Sequence, residues 1–380
     1  MRSRKLIGQV FTELADALET GRMAGPRLRV GLTTIGSEHG VDEVVRGAEL
    51  AAGADDRFEV VLVGPQVDSK LRQEVCDCED TAHRRMEELI KSGEIQAAVT
   101  MHYPFPMGVA TVGRIVTPAF GKPLLVATTT GASATDRVPA LIKNAIYGIA
   151  VAKSLGIDKP TVGILNVDGA RQVERQLKKL ADQGYEIVFG ETIRADKGSI
   201  MRGNDLLTGS PDVMICDTLT GNLLMKIFSS YHTGGSYEAL GYGYGPGVGP
   251  GWKQIVNIIS RASGAPVIAG AIEFAAACAA ANLPQLVEKE WTAARRAGLE
   301  DLLVPEREQE VTEEVQAPPK KPTEAEISGV DVLEIEDAAR ELWRNKIYAE
   351  TGMGCEGPVV LVAKDDYEQA AQILTDSGYI

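Results

Sequence analysis

The sequence predicts an α/β fold with a largely parallel sheet and helices on both faces. Short apolar runs alternate with helix-length segments along most of the 380 residues, a pattern typical of βαβ units. Glycine is abundant, at 40 residues, and aromatic residues make up only 5% of the chain, which suits an α/β protein with tight loops better than a β-sandwich. Ligands of such sheets bind at the carboxyl ends of the strands.

The apolar pattern assigns the elements of the core in order. Strands are predicted where apolar runs of five to eight residues occur, at 28–35, 58–63, 96–101, 123–128, 161–166, 185–189 and 212–216. Helices are predicted between them, at 41–52, 70–92, 138–155, 171–183 and from about residue 220. The alanine-rich segment 265–287 fits a short strand followed by a buried helix. The alternating glycines of 241–251 indicate a mobile loop or lid, or else a plain surface loop.

Composition divides the chain into four parts. Residues 1–25 carry an apolar stripe at helical spacing and predict an amphipathic helix, and 26–304 form the α/β core. Residues 305–328 contain seven Glu, three Lys or Arg and four Pro, which indicates a solvated linker. The C-terminal segment 329–380 predicts helix, strand and helix (331–348, 358–363 and 367–377). It is small for an independent core, so we expect it to dock on another surface.

Charge, cysteine content and motifs exclude several classes of function. The net charge of −14 opposes nucleic-acid binding and adhesion to an anionic membrane. Five cysteines without a signal peptide predict reduced thiols in the cytoplasm. The chain has no P-loop or Rossmann fingerprint, and its histidines and cysteines match no zinc spacing. We therefore expect no resident metal or cofactor.

The first candidate site is the turn from Asp217 to Lys226. A buried strand ends at Asp217, a polar turn containing Thr220, Gly221 and Asn222 follows, and a helix begins. Free backbone N–H groups at a helix start, with Lys226 one to two turns further on, could hold an anion. An ordinary N-cap with a surface lysine explains the same residues.

The second candidate is the strand-to-helix turn that contains Ser37 and His39. It lies at the end of the first strand and would face the same crevice if the two strands are neighbours. A capped turn without a ligand is the alternative.

The third candidate is Cys355, which stands in a glycine-rich loop between a predicted helix and strand. Glycines allow a substrate or partner backbone to approach the sulfur closely. No His/Asp pair lies near it in sequence, so a lowered thiol pKa would have to come from the fold or a partner. A chance cysteine in a turn is the alternative.

Three segments resemble the phosphate acyltransferases of phospholipid synthesis. The segment Gly-Ser-Glu-His-Gly from Gly36 resembles the segment that opens those enzymes, and Val-Gly-Ile-Leu-Asn-Val from Val162 resembles their central strand. The segment from Asp217 to Lys226 resembles their Asp-Gly-Phe-Thr-Gly-Asn-x-x-x-Lys motif. The resemblance spans 28–300 and implies an isocitrate-dehydrogenase-like α/β fold in which phosphate and acyl donor meet in a central crevice.

The full length, with its linker and Gly-Met-Gly-Cys-Glu-Gly-Pro-Val-Val tail, resembles the component C alpha subunits of glycine/sarcosine/betaine reductase complexes. This resemblance implies that an acetyl group, released from the carboxymethylated selenoprotein A, is held as a thioester on Cys355. Phosphorolysis then yields acetyl phosphate. It also implies a component C beta subunit, itself ketoacyl-synthase-like, as a partner in an oligomeric assembly, with inorganic phosphate as substrate.

Two other functions fit the same residues. One is a stand-alone phosphate acyltransferase that uses an acyl carrier or coenzyme A, with the tail as an appendage. The other is a non-catalytic scaffold subunit that positions the active site of a partner.

Overall fold

The core of the molecule is a single twelve-stranded mixed sheet covered by helices. The computed structural model describes residues 27–195, 197–303, 315–354 and 357–380. Strand order is β3-β2-β1-β4-β12-β11-β5-β6-β10-β7-β8, and β9 pairs with β7. Eight of the strand pairs are parallel, so the predicted α/β class with a largely parallel sheet is confirmed. The helix predicted for 1–25 lies outside the described residues.

The bounds of the elements follow the predicted alternation over most of the core. The core strands are β1 Leu28–Thr33, β2 Phe58–Gly64, β3 Arg72–Val75, β4 Ala97–Thr100, β5 Ala110–Val116, β6 Pro123–Gly131, β7 Thr161–Leu165, β8 Val188–Phe189, β9 Ile200–Met201, β10 Val213–Ile215, β11 Gly245–Val248 and β12 Val256–Ile258. The core helices are α1 Val41–Ala54, α2 Glu79–Ser92, α3 Arg137–Ser154, α4 Ala170–Asp182, α5 Gly203–Thr208, α6 Thr218–Ser230, α7 Ala265–Ala280, α8 Leu283–Arg296 and α9 Leu299–Leu302.

The glycine-rich segment 241–251 corrects a prediction, because part of it is the buried strand β11 and not a loop or lid. This strand runs antiparallel to both β12 and β5 and so joins the two halves of the sheet, a wholly parallel one ending at β12 and one in which β5 is also antiparallel to β6. Its glycines are required by close packing: a Cβ on Gly245 would lie 1.7 Å from the Val112 carbonyl oxygen, and one on Gly247 would lie 2.3 Å from the Phe105 ring. Close backbone approach, not mobility, explains the glycine content.

Two other predicted elements differ from the structure. The sequence predicts one helix over 70–92, but Arg72–Val75 forms the edge strand β3, and α2 begins only after Cys78. Pairing with β2 therefore overrides the helical propensity of this polar segment. The segment from residue 265 begins directly as the buried helix α7, without the short strand expected before it.

The C-terminal segment forms a small sheet with two helices packed on it. Its strands are β13 Ala325–Ser328, β14 Ala349–Gly354 and β15 Gly357–Val362, in the antiparallel order β13-β15-β14. Helices α10 Ile335–Arg344 and α11 Tyr367–Asp376 complete it, and its apolar core is separate from that of the large sheet. Composition assigned 325–328 to the linker, whereas the structure places these residues in β13. Of the linker, residues 304–314 lie outside the described residues.

Among the described helices, no single one is long and apolar enough to cross a membrane. Only α7 and α8 taken together pass that test of length and composition, and they are bent by 63° relative to each other.

Candidate functional site

The loop after β12, residues 260–263, brings two of the candidate segments together. The Ser260 hydroxyl lies 2.5 Å from the Lys226 ammonium, and the Ala262 carbonyl oxygen lies 3.2 Å from Nε2 of His39. The backbone N–H of Glu38 donates to the Arg261 carbonyl oxygen at 2.9 Å. We call this region the crevice; it contains Lys226, His39 and, through a hydrogen bond from the His39 N–H, Ser37.

Lys226 is held in the crevice by a buried carboxylate. Nζ of Lys226 lies 2.9 Å from Oε1 of Glu238, whose side chain is only 2% exposed while that of Lys226 is 46% exposed. The Ser263 hydroxyl donates to the other oxygen of Glu238 at 2.9 Å. Burial and the neighbouring Glu238 carboxylate raise the pKa of Tyr244, whose hydroxyl also lies near Glu238. Lys226 therefore has a fixed position and a half-exposed side chain, which can meet an anion.

Sequence reasoning missed Glu238, Ser260, Arg261 and Ser263. Arg261 spans the crevice, since its guanidinium lies 3.4 Å from the Gly36 carbonyl oxygen and 3.3 Å from Glu79. The available signal was the apolar run before Ser260 followed by Ser-Arg-Ala-Ser-Gly and a helix, which is another strand-to-helix turn.

The start of α6 is used for packing within the chain. Asp217 is the N-cap: its carboxylate accepts hydrogen bonds from the Thr220 N–H at 3.1 Å and the Thr220 hydroxyl at 2.6 Å. Asn222 donates to the Thr129 carbonyl oxygen at 3.3 Å. A Cβ on Gly221 would lie 1.8 Å from the Thr128 carbonyl oxygen, so this glycine allows α6 to lie directly on β6.

The two strands that lead into these candidates are not neighbours. Between β1 and β10 the sheet contains β4, β12, β11, β5 and β6, so the strands are about 29 Å apart at roughly 4.8 Å per spacing. Lys226 reaches the crevice only because α6 runs from the end of β10 back across β6. Thr220, Gly221 and Asn222 remain at the β10 end of this helix.

The C-terminal segment docks on the start of α4. One oxygen of Asp331 accepts from the Gly169 N–H at 3.1 Å, and the other accepts from the Arg171 N–H at 3.2 Å. Asp331 is 5% exposed. Arg175 lies 2.6 Å from Glu334, which Gln172 also contacts at 2.7 Å. A carboxylate from the tail thus caps a helix of the core more than 150 residues away.

A cleft of about 490 Å³ lies beside this contact, at the carboxyl end of β7. Its core wall contains Asn166, Val167, Asp168, Arg171 and Arg202. Its tail wall is formed by residues of β13, of the loop after it and of the β14–β15 hairpin: Glu326, Ser328, Gly329, Val330, Asp331, Val332, Gly354, Pro358 and Val359. Cys355 lies outside the described residues, but Gly354 and Pro358 on either side of it line the cleft.

The four described cysteines differ in how readily they form a thiolate. Burial raises the pKa of Cys216, whose thiol is enclosed, and raises that of Cys278 to about 12. Burial also raises the pKa of Cys76. Cys78, exposed at the start of α2, has a lowered pKa because the Thr81 side chain and backbone hydrogen-bond to its sulfur. In the described part of the chain, no group of three or more His, Cys, Asp or Glu side chains could hold a metal ion.

Comparison with known proteins assigns the chain to a family. A sequence model of the family described as "Fatty acid synthesis protein" matches residues 28–361, which includes much of the tail. The glycine/sarcosine/betaine reductase complex component C subunit alpha of Peptoclostridium acidaminophilum is 55% identical over 381 residues, with 99% of each chain covered. This chain belongs to that family of component C alpha subunits.

More distant relatives of this component C family match only part of this chain. The phosphate acyltransferase of Thermotoga petrophila is 26% identical over 234 residues, which cover 54% of this chain and 69% of that protein. Among solved structures, a branched-chain phosphotransacylase from Enterococcus faecalis V583 has a TM-score of 0.48 and 17% identity. That match covers 66% of this chain and 99% of the other.

Proposed function

We propose that this chain transfers an acetyl group to inorganic phosphate within a glycine/sarcosine/betaine reductase complex. The acetyl group is held as a thioester on Cys355. A phosphate oxygen attacks the thioester carbonyl carbon, the C–S bond breaks, the cysteine leaves as thiolate, and acetyl phosphate is released. A thioester keeps the acyl-transfer potential that this step needs without ATP.

One observation carries the proposal: residues on both sides of Cys355 border a cleft whose core wall contains Arg171 and Arg202. Cations beside a thioester favour an anionic nucleophile and stabilise the tetrahedral oxyanion. The buried thiols of Cys216 and Cys278 support the same assignment, because raised pKa values leave them protonated and poorly nucleophilic near neutral pH.

The phosphate-binding residues of the proposal are Lys226, Ser37 and His39 in the crevice, with Thr220, Gly221 and Asn222 at the start of α6. The fixed position and half-exposed side chain of Lys226 support this choice. For a thioester on Cys355 to meet phosphate there, the tail has to leave its docked position on a tether formed by the linker.

The partners we propose are those of the related subunit's complex. A ketoacyl-synthase-like beta subunit assembles with this chain, and carboxymethylated selenoprotein A is the acetyl source. The reaction takes place in the cytoplasm, with phosphate as substrate and no bound cofactor.

Intact-mass analysis after incubation with acetyl phosphate tests the thioester. We expect the mass to rise by one acetyl group, which hydroxylamine removes and Cys355→Ser abolishes. Cys78→Ser is the matched control, because Cys78 is the described cysteine with a lowered pKa, and it should acetylate like the parent chain. An adduct that persists in Cys355→Ser, or that maps to Cys78, Cys216 or Cys278, contradicts the proposal.

Lys226→Ala tests whether the crevice binds the attacking phosphate. Loss of one oriented donor to a transition-state anion lowers rates by roughly 10²–10³. We expect phosphate-dependent deacetylation to fall by that factor while a partner subunit still loads Cys355. An equal loss of both steps, or of neither, excludes Lys226 as a phosphate ligand.

The similarity to phosphate acyltransferases favours one alternative, a transferase that takes acyl groups directly from coenzyme A or a carrier. In that case Cys355→Ser should convert acyl-coenzyme A and phosphate to acyl phosphate at the full rate.

A further inference from the structure

The cleft at the tail has two cations in its core wall. Arg171 lies at the start of α4, with Nη1 at 3.6 Å from Glu174 and a side chain that is 41% exposed. Arg202, the N-cap residue of α5, lines the cleft and makes no ion pair with any residue in the described ranges. Arg202 can therefore meet a ligand, and Arg171 keeps further N–H donors beyond its single contact with Glu174.

The Asp331 carboxylate in the tail wall of the cleft is already engaged by backbone groups. Asp331 directs its oxygens to the Gly169 and Arg171 N–H groups, so its carboxylate caps α4 and forms no ion pair with the Arg171 or Arg202 guanidinium. Asp168 and Glu326 also line the cleft, and Glu326 is exposed on β13. Their negative charges weaken anion binding, so we expect the site to be a weak one that suits an abundant substrate.

The acceptor has to lie close to the thioester. Reacting atoms must approach to about 3–3.5 Å before attack. Between β7, which ends at the cleft, and β12, which ends at the crevice, lie four strands, or about 24 Å at roughly 4.8 Å per spacing. A phosphate on Lys226 is too far from the β14–β15 hairpin while Asp331 holds the tail in place.

We propose that the cleft holds a phosphoryl dianion on Arg171 and Arg202, and that this is where phosphate attacks when the tail is docked. The inference rests on the proposed function and assigns the acceptor a second position. Guanidinium groups bind phosphate oxygens in a bidentate manner, and the Asn166 amide in the same wall adds a donor. Phosphate in the crevice then reacts with the thioester when the tail is undocked, and phosphate in the cleft reacts with it when the tail is docked.

The test measures deacetylation of the full-length, pre-acetylated chain against phosphate concentration. Loss of a hydrogen bond to a charged group corresponds to roughly a 10- to 100-fold change. We expect Arg202→Gln to raise the half-saturating phosphate concentration by that factor. For Arg202→Lys, the half-saturating phosphate concentration should fall between those of the parent chain and Arg202→Gln, because lysine keeps the positive charge but cannot bind phosphate in a bidentate manner. Arg340→Gln, the same substitution on the exposed face of α10, should match the parent chain.

Acetyl phosphate brings the same phosphoryl chemistry from the other direction. Because the reverse reaction uses the same site, acetylation of Cys355 by acetyl phosphate should show the same shift in Arg202→Gln. A shift for acetyl phosphate alone would mean that the cleft recognises the acyl phosphate and not free phosphate, which overturns the inference.

The remaining outcomes separate the inference from the proposed function. If Arg202→Gln has the phosphate dependence of the parent chain while Lys226→Ala changes it, the cleft inference is wrong and the proposed function stands. If Cys355 never becomes acetylated, the proposed function is wrong. Phosphorus-31 line broadening of inorganic phosphate by the unmodified chain, lost in Arg202→Gln but kept in Arg340→Gln, still tests the cleft directly. Equal broadening by both variants overturns it.

Discussion

The starts of α4 and α6 are built alike and differ in where their caps come from. Both helices follow neighbouring parallel strands, β7 and β10, and both have their first N–H groups capped by an aspartate. The cap of α6 is Asp217, three residues before the N–H group that it accepts from. The cap of α4 is Asp331, from the tail. A local cap fixes only its own helix, whereas the distant one also fixes the position of the tail.

The difference shows how an anion-binding position can double as a docking point. Backbone N–H groups at a helix start attract negative charge. In α6 this position is filled within the turn. In α4 it is filled by a residue of the tail, and the cleft with its two arginines lies beside it. Experiments that alter one helix start at a time should separate these roles.

The largest effect is expected from the glycines of the two starts. Gly221→Ala would place a Cβ against the buried Thr128 carbonyl oxygen, at 1.8 Å, so we expect about 4 kcal/mol or more of lost stability. Gly169→Ala, at a φ of +86°, should cost only about 1–2 kcal/mol. Chemical denaturation measures both. Gly53→Ala in α1, where a Cβ meets nothing within 4 Å, is the control. A Gly221→Ala variant as stable as the parent chain contradicts the close packing of α6 on β6.

The next largest loss of stability is expected when a helix cap is removed. Asp331→Ala leaves two N–H groups of α4 without an acceptor, at a cost of about 1–3 kcal/mol to docking. Hydrogen exchange should then accelerate in the first turn of α4 and in 315–354. Asp217→Ala should cost about 1 kcal/mol in α6 and leave exchange of the tail unchanged. Faster exchange of the tail in both variants, or in neither, means that Asp331 does not hold it.

A smaller effect is expected for the ion pair between Arg175 and Glu334. Their side chains are 33% and 13% exposed, so the pair is partly screened by solvent. Arg175→Gln should loosen docking by about 0.5–1 kcal/mol, and 0.5 M salt should reduce the difference from the parent chain. If the difference in tail exchange is independent of salt, the contribution of Arg175 is packing and not charge.

The smallest effect that we expect is a difference in pH dependence between the two helices. It arises because α4 contains a buried acid, Glu174, and α6 contains none. Burial raises the pKa of Glu174, but hydrogen bonds from Ser199 and Lys178, with the charges of Lys178 and Arg171, outweigh it and leave the pKa below 4.5. A lowered folded-state pKa stabilises the fold above pH 4.5, and this stability is lost as pH falls further. As the pH falls, hydrogen exchange should accelerate in α4 before it does in α6. Glu174→Gln should reduce the loss of stability below pH 4.5. An unchanged profile assigns the loss to other groups.

The sequence predicted most of the alternating strands and helices because their apolar patterns are local. It failed at β11, since a run of glycines that packs against backbone has the composition of a loop. It also failed at β3, where a polar segment becomes a strand only because β2 offers it an edge. Both elements are decided by neighbours distant in the chain, which local periodicity does not report.

The residues of the candidate site also divide into those that a local sequence pattern indicates and those that depend on distant contacts. Lys226, Ser37 and His39 stand in turns that are visible in the sequence, and their role in binding phosphate stays a prediction. The buried Glu238, which positions Lys226, follows a glycine-containing turn and has no local pattern of its own. The Asp331 cap joins residues more than 150 positions apart, so only the folded chain reveals it. Cys355 was singled out by its glycine-rich surroundings, and its chemistry awaits the mass measurement.

The antiparallel strand β11 has a mechanical consequence for the whole molecule. Because it is hydrogen-bonded to β12 on one side and β5 on the other, the two halves of the sheet form one continuous plate. A hinge motion of the two halves about β11 would break those backbone hydrogen bonds and strain the close glycine contacts. We therefore expect the plate to stay rigid during turnover. Any large displacement of reacting groups has to come from a part attached by few contacts, and the tail, held by Asp331 and Glu334, is such a part.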